Sequence, residues 1–340
     1  MASTEGEPQT AARAVQVREA RLLASMAVIR LDAATVLLQW ATGGLAFLWV
    51  TTRHREVGLG YGWLLRSVYA VLAVGAVATG IAVDVIPVRE VASAGVALAA
   101  LTALAVSVVR RSAGVARQHA DHDRRTARVA AMTGIERTVT ESSSPPSAPL
   151  SSAPTRSARQ SVLRRPGGAR QSRTPPPEFN PALDLVAPAV GVIGLVAAGL
   201  AAGGNDALAV ARTLAGAAFL GAVTDAMLLG HWYLVQPGLR RALLDELVTW
   251  VIRVWPIEVG LLLVPTGMIS VLNGSVDDGW GGTLGWFWVA CAVATLVLAL
   301  VTRAALKERQ YSAVMAATGL LYLAILTAFG TDLVARAVLA

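Results

Sequence analysis

Three windows of this chain, Val91–Val109, Ala187–Asn205 and Thr283–Thr302, carry no ionised side chain. Each is close to the ~20 residues that a helix needs to cross bilayer hydrocarbon. A helix in a soluble protein presents at least one polar face to water, so runs this long and this apolar are rare there. Three of them in one chain constrain it to the all-α, membrane-spanning class. The composition agrees, with 55% hydrophobic and 15% charged residues against roughly 25% charged in soluble domains.

Apolar runs predict a polytopic transmembrane helical bundle of about eight spans, with limits near 31–51, 63–86, 90–109, 183–203, 208–234, 248–272, 283–302 and 312–333. A polar N-terminal tail (1–30) precedes membrane helices 1–3 (31–109). A basic linker (110–182) follows, and then membrane helices 4–8 (183–340). Pro87 stops the second helix and Glu90 opens the third. Arg30 and Asp32, at the start of the first span, are expected to snorkel to the interface. The early acids Glu5, Glu7 and Glu19, with no apolar stretch near Met1, point away from a cleaved signal peptide. The first span is therefore expected to act as an uncleaved insertion signal.

The linker holds 13 arginines against five acids, while the whole chain carries only +7. Residues 110–132 contain good helix formers and no proline, so they are expected to extend the third span. From Thr138 onward the linker is rich in Ser, Pro and Arg and lacks the large apolar side chains that a core requires. Disorder is expected there. The segments on the linker's side of the membrane carry 20 of the 29 basic residues and the opposite segments carry five. The positive-inside rule then predicts a cytoplasmic linker and both termini outside, and the expected location is the plasma membrane of a prokaryote. The linker arginines suit anionic lipid headgroups. Without a recognition fold or interleaved aromatic residues, they give no reason to expect nucleic-acid binding.

Polar residues inside the later spans are the candidate site. Asp225 and His231 lie in the fifth apolar run, and Arg253 and Glu258 in the sixth. A charge at membrane depth costs at least about 2.5 kcal/mol, so such groups have a partner or a task. With the fifth span ending near Val235 and the sixth starting near Leu247, Asp225 and Glu258 are expected at matching depth. His231 and Arg253 would lie one to two turns nearer the cytoplasm. Two readings follow. In one, Glu258 and Asp225 exchange protons or bind a cation, His231 relays protons, and Arg253 tunes them. In the other, Arg253 is neutralised by a carboxylate, with Asp225 favoured, and the pair fastens two helices together.

A third possibility uses His231 with Trp232 or Tyr233 as a quinone or haem site, with His54 as the other haem ligand. The bland alternative for these aromatic residues is an interfacial belt. The lone Cys291 and the absence of Cys-x-x-Cys-His leave covalent haem and iron–sulfur centres without ligands. No metal site is expected, no cofactor is assigned, and no nucleotide-binding or hydrolase motif argues for an enzyme. The leading expectation is proton- or ion-linked transport or conduction between helices 5 and 6. The alternatives are a membrane subunit of a redox complex or a non-catalytic scaffold or assembly protein, either of which implies partner subunits. Weaker signals are Asp84, read as interfacial, and Asp277 with Asp278, read as a turn rather than a cation site. The small-residue pairs Gly199/Gly203 and Ala217/Gly221 are read as close-packing positions.

Overall fold

A computed structural model describes residues 32–113, 179–236, 239–264, 267–308 and 310–339. All regular structure among them is helical, in nine α-helices. These are α1 (Ala33–Thr52), α2 (Leu59–Val83), α3 (Pro87–Val109), α4 (Val186–Ala201), α5 (Asp206–Val235), α6 (Arg241–Leu263), α7 (Met268–Leu272), α8 (Thr283–Lys307) and α9 (Tyr311–Leu339). Short 3₁₀ turns follow α3 (Arg110–Ala113) and lead into α4 (Pro181–Leu185). The helical extension expected over 110–132 is seen only as that first turn. The rest of it, the expected disorder from 138 to 178 and Arg30 lie outside the described residues.

Among the described residues, seven helices are long and apolar enough to cross a membrane. Their outer faces carry large apolar side chains in the open: Val71, Ile81, Leu98 and Val293 are all more than half exposed. Water would not tolerate a belt of that kind, whereas lipid matches it. These features mark an integral membrane protein. Two helices fall outside the seven: the five-residue α7, and α6, which carries Arg241, Asp245, Glu246, Arg253 and Glu258 along its length. Helix α6 nevertheless packs within the bundle, against α5 and α8.

Local chemistry explains where the helices begin and end. Asp32 caps α1 by accepting from Thr35 N at 3.2 Å, and Asn205 caps α5 by accepting from Leu208 N at 3.0 Å. The expected sixth span, 248–272, is corrected at both ends. Its helix begins at Arg241 and stops at Leu263, with Val264 extended at φ −114° and ψ 155°. Residue 265 is proline, which drives its predecessor out of the helical region, and the chain resumes as the short α7. Pro256, by contrast, sits inside α6 without ending it.

The centre of the bundle is α5, packed on α1, α4, α6 and α9. Its contact with α1 is made at backbone distance. A Cβ on Gly43 would lie 1.8 Å from the Ala217 carbonyl oxygen, and one on Gly221 would lie 2.2 Å from the Gly43 carbonyl carbon. The Ala217/Gly221 pair is thus a helix seam. The Gly199/Gly203 pair divides. Gly199 packs on Val210, but Gly203, at φ +78°, belongs to the turn between α4 and α5.

Ion pairs, some of them buried, tie both ends of the bundle. At the end nearest the linker, Arg66 of α2 grips Asp184 in bidentate fashion at 2.8 and 2.7 Å, and Thr52 donates to the same carboxylate. There, too, Arg240 reaches Glu56, and Arg53 and His54 reach Glu246. At the opposite end the fully buried Arg89 donates to Asp32 at 2.6 Å, to Glu90 at 2.7 Å and to the Asp84 carbonyl at 2.6 Å. Asp32 is therefore an N-cap and an arginine partner, and not a snorkelling side chain.

Candidate functional site

The four candidate residues of α5 and α6 do not assemble into one site. Asp225 is fully buried and receives the hydroxyl of Tyr69 on Oδ1, while its Oδ2 has no hydrogen-bond partner among the described residues. Tyr69 comes from α2, and its ring lies over Gly44 of α1, where a Cβ would stand 2.0 Å from Cζ. Beside it, the Tyr61 hydroxyl approaches the Asp225 carbonyl at 3.5 Å, and Trp40 donates to Thr224 at 3.0 Å. Asp225 thus belongs to a centre shared by α1, α2 and α5.

Glu258 is also fully buried, but it belongs to a different centre. The register between α5 and α6 is set by Arg212, whose Nε donates to Leu261 O at 2.8 Å and whose Nη2 donates to Val264 O at 3.0 Å. Counting back along antiparallel helices from that contact puts Glu258 about 13 Å along the axis from Asp225. The expected matching depth is therefore corrected. The expectation assumed a helix starting near 247, and α6 begins a turn and a half earlier.

The charges that act on Glu258 are the Asp332 carboxylate and the Arg336 and Arg212 guanidinium groups. Asp332 is fully buried on α9 and takes Arg336 Nε on both oxygens at 2.9 Å, an i,i+4 pair. Arg336 also donates to the Arg212 carbonyl at 3.2 Å. Among the described residues neither Oε of Glu258 meets full hydrogen-bond geometry with a partner, although Asp332 is near enough to share a proton with it. Two carboxyl groups on α6 and α9 and two arginines on α5 and α9 thus form one cluster. It opens into a cleft of about 180 Å³ lined by Asp32, Thr35, Arg212, Thr213 and Arg336.

Arg253 joins neither carboxylate. It is exposed on α6, lies 5.8 Å from the Trp250 ring centroid, and forms no ion pair among the described residues. His231 is exposed on α5 and meets the Tyr322 hydroxyl through Nδ1 at 3.2 Å. His54 instead meets Glu246 at 2.9 Å, so the two histidines proposed as haem ligands are separately engaged. Trp232 bonds Gln236 at 3.2 Å and packs on Tyr61, and Tyr233 donates to the Arg240 carbonyl at 2.6 Å. These aromatic side chains secure the turn between α5 and α6.

In the loop before α8, Asp277 accepts from Gly279 N. The carboxylate of Asp278 accepts from the backbone N–H groups of Trp280, Gly282 and Leu284 at 2.8–2.9 Å and from Gly285 at 3.4 Å. The donors hold its pKa below the usual carboxylate range, the Gly282 N–H most strongly. That cradle fills the oxygens that a cation would need, so Asp278 works as a helix cap.

Sequence reasoning missed Tyr69, Arg212, Asp332 and Arg336 as site residues. The last two were legible in principle, because an acid and an arginine four apart inside an apolar run form a helix-face pair. Ending the last span at 333 cut that pair apart. The chain matches no protein-family model, no curated protein and no solved structure.

Proposed function

We propose that this is a multi-pass protein of a prokaryotic plasma membrane that exchanges protons at the Glu258–Asp332 carboxyl pair as part of proton- or ion-linked transport or conduction. In this reading α6 is an eighth span, the linker is cytoplasmic and both termini are outside. One observation carries the proposal: Glu258 is fully buried, and among the described residues neither of its oxygens meets full hydrogen-bond geometry, with the Asp332 carboxyl beside it. A bare carboxylate at such a place is costly. A proton shared with Asp332 removes part of that cost, and a carboxyl pair holding one proton can pass it on. Arg336 holds Asp332 in place, and Arg212 adds positive charge on the cleft side. Asp225 with Tyr69 is a second polar centre, deeper in the bundle, and His231 stays at the cytoplasmic edge.

A structural reading draws on Arg212, whose bonds to Leu261 O and Val264 O satisfy carbonyls at the end of α6. There the cluster only fastens α5, α6 and α9, as in a scaffold or assembly protein. Reconstituted vesicles with a trapped pH-sensitive dye separate the two. Wild-type protein should dissipate an imposed pH gradient, and Glu258→Gln and Asp332→Asn should each slow this at least about tenfold, a change of ~1.4 kcal/mol, while melting near the wild-type temperature. Wild-type vesicles as tight as empty ones, or a Glu258→Gln variant as leaky as wild type, would sink the transport reading.

A further inference from the structure

A second cavity neighbours the cleft beside Arg212 and Arg336, the two drawing on adjacent residues of α9 and of the start of α1. A trough of about 500 Å³ runs between α1 and α9, lined by Val36, Leu37, Trp40, Ile325, Phe329 and Leu333. Its wall is almost wholly apolar, and it is floored near Trp40 and Phe329, whose ring centroids are 4.6 Å apart. The alignment of the two cavities is built into the helix faces. On α9, Arg336, Leu333, Phe329 and Leu326 follow one another at steps of three and four, and on α1 Asp32, Val36 and Trp40 step by four, so each sequence forms one stripe. A polar chamber therefore caps an apolar channel on the same pair of helices.

Length and charge define the occupant. From Arg336 to Leu326 the α9 stripe runs about 15 Å, half of the ~30 Å hydrocarbon thickness and therefore one leaflet. That is the span of a lipid chain, and the chamber lies where its headgroup would be. Of the carboxyl groups near the chamber, Asp32 is engaged by Arg89 and Asp332 by Arg336, and Glu258 does not line the cleft. The arginines are not saturated. Arg212 uses Nε and Nη2, Arg336 uses Nε and Nη2, and among the described residues neither Nη1 has an acceptor. The unspent donors facing the chamber are thus cationic and suited to phosphate oxygens.

We propose that the α1/α9 groove is a binding site for one phospholipid of net negative charge, in the leaflet opposite the linker, with its phosphate on Arg212 and Arg336 and one acyl chain along Phe329 and Trp40. This site shares Arg212 and Arg336 with the carboxyl cluster but does not depend on the proton reading, because its evidence is the shape and the unsatisfied donors of the groove.

Native mass spectrometry of the detergent-purified chain tests it, with phosphatidylglycerol and phosphatidylcholine of identical acyl chains added in turn. Wild type should retain one phosphatidylglycerol at least about tenfold more tightly than phosphatidylcholine, or ~1.4 kcal/mol. Leu333→Trp, which fills the trough, should lose phosphatidylglycerol at least tenfold, and Arg336→Gln should lose the preference between the two lipids. Leu333→Trp leaves the charged cluster intact, so it decides the matter even if Arg336→Gln does not fold. Equal retention of both lipids by wild type, undiminished retention by Leu333→Trp, or retention of a neutral quinone in place of phosphatidylglycerol would each overturn the proposal.

Discussion

Tyr69 and Asp225 lie 156 residues apart in the chain, yet the hydroxyl of one donates to the buried carboxylate of the other. That contact joins α2 to α5 in the interior of the bundle. Asp225 Oδ2 has no partner, so the tyrosine is the one side-chain donor to this carboxylate among the described residues. Tyr69→Phe removes the donor and leaves the ring in place over Gly44. We expect it to lower stability by about 1–2 kcal/mol, the range for a lost bond to a buried polar group within a membrane. Unfolding in mixed micelles measures this, and a change below ~0.3 kcal/mol would mean that the bond contributes nothing.

The α1–α5 seam makes a sharper prediction, because backbone cannot move aside as a side chain can. Gly221→Ala drives a Cβ against the Gly43 backbone and should cost at least about 2 kcal/mol, in the range of overpacked cores. Gly260→Ala in α6 is the internal control, since a Cβ there meets no atom within 4 Å. It should be neutral or stabilising by up to ~1 kcal/mol. Similar melting temperatures for the two variants would refute the seam.

Arg66 and Asp184 are both buried, 2% exposed each, and joined at 2.8 and 2.7 Å. Removing one partner strands the other's charge, so Arg66→Met alone should destabilise by about 3–5 kcal/mol. The double variant Arg66→Met/Asp184→Leu should recover most of that loss. A double variant as unstable as the single one would show that the pair acts through something other than mutual neutralisation.

Asp278 gives a pH signature outside the spans. Backbone donors depress its folded pKa below the unfolded value of about 3.9. The carboxylate then adds stability above about pH 4, and this contribution disappears as the pH falls through the folded pKa. The melting-temperature difference between wild type and Asp278→Ala should stay flat from pH 5 to 8 and shrink below pH 4. A difference that grows on acidification would reverse the assigned sign.

Which parts of this structure can be read from one sequence follows from the range of the forces involved. Charge-free runs locate α3, α4 and α8 because hydrocarbon acts on each residue independently of fold. Pro87 and Pro265 mark breaks because their effects are local, although the second was read through when the sixth span was carried to 272. The Asp225–Glu258 pairing failed on register. A helix start displaced by six residues moves every side chain by about 9 Å, and the register depends on Arg212 reaching the carbonyls at 261 and 264. Arg253 shows the limit of charge counting: an arginine in an apolar run near two acids took neither and lies by Trp250. Tyr69 carried no signal, since a tyrosine in an apolar run is unremarkable until the residue facing it is known.

The Gly43 seam also has a consequence in time. The helix α1 is the most enclosed of the seven apolar helices, with 72% of its window buried, and its Gln39 donates to the Thr213 carbonyl of α5 at 2.7 Å. A ribosome finishes α1 long before α5 emerges. Throughout that interval Gln39 lacks its acceptor and the glycine face of α1 lacks its cover. The helix α1, which enters the membrane before α5, thus reaches its final surroundings only once that later helix has been synthesised.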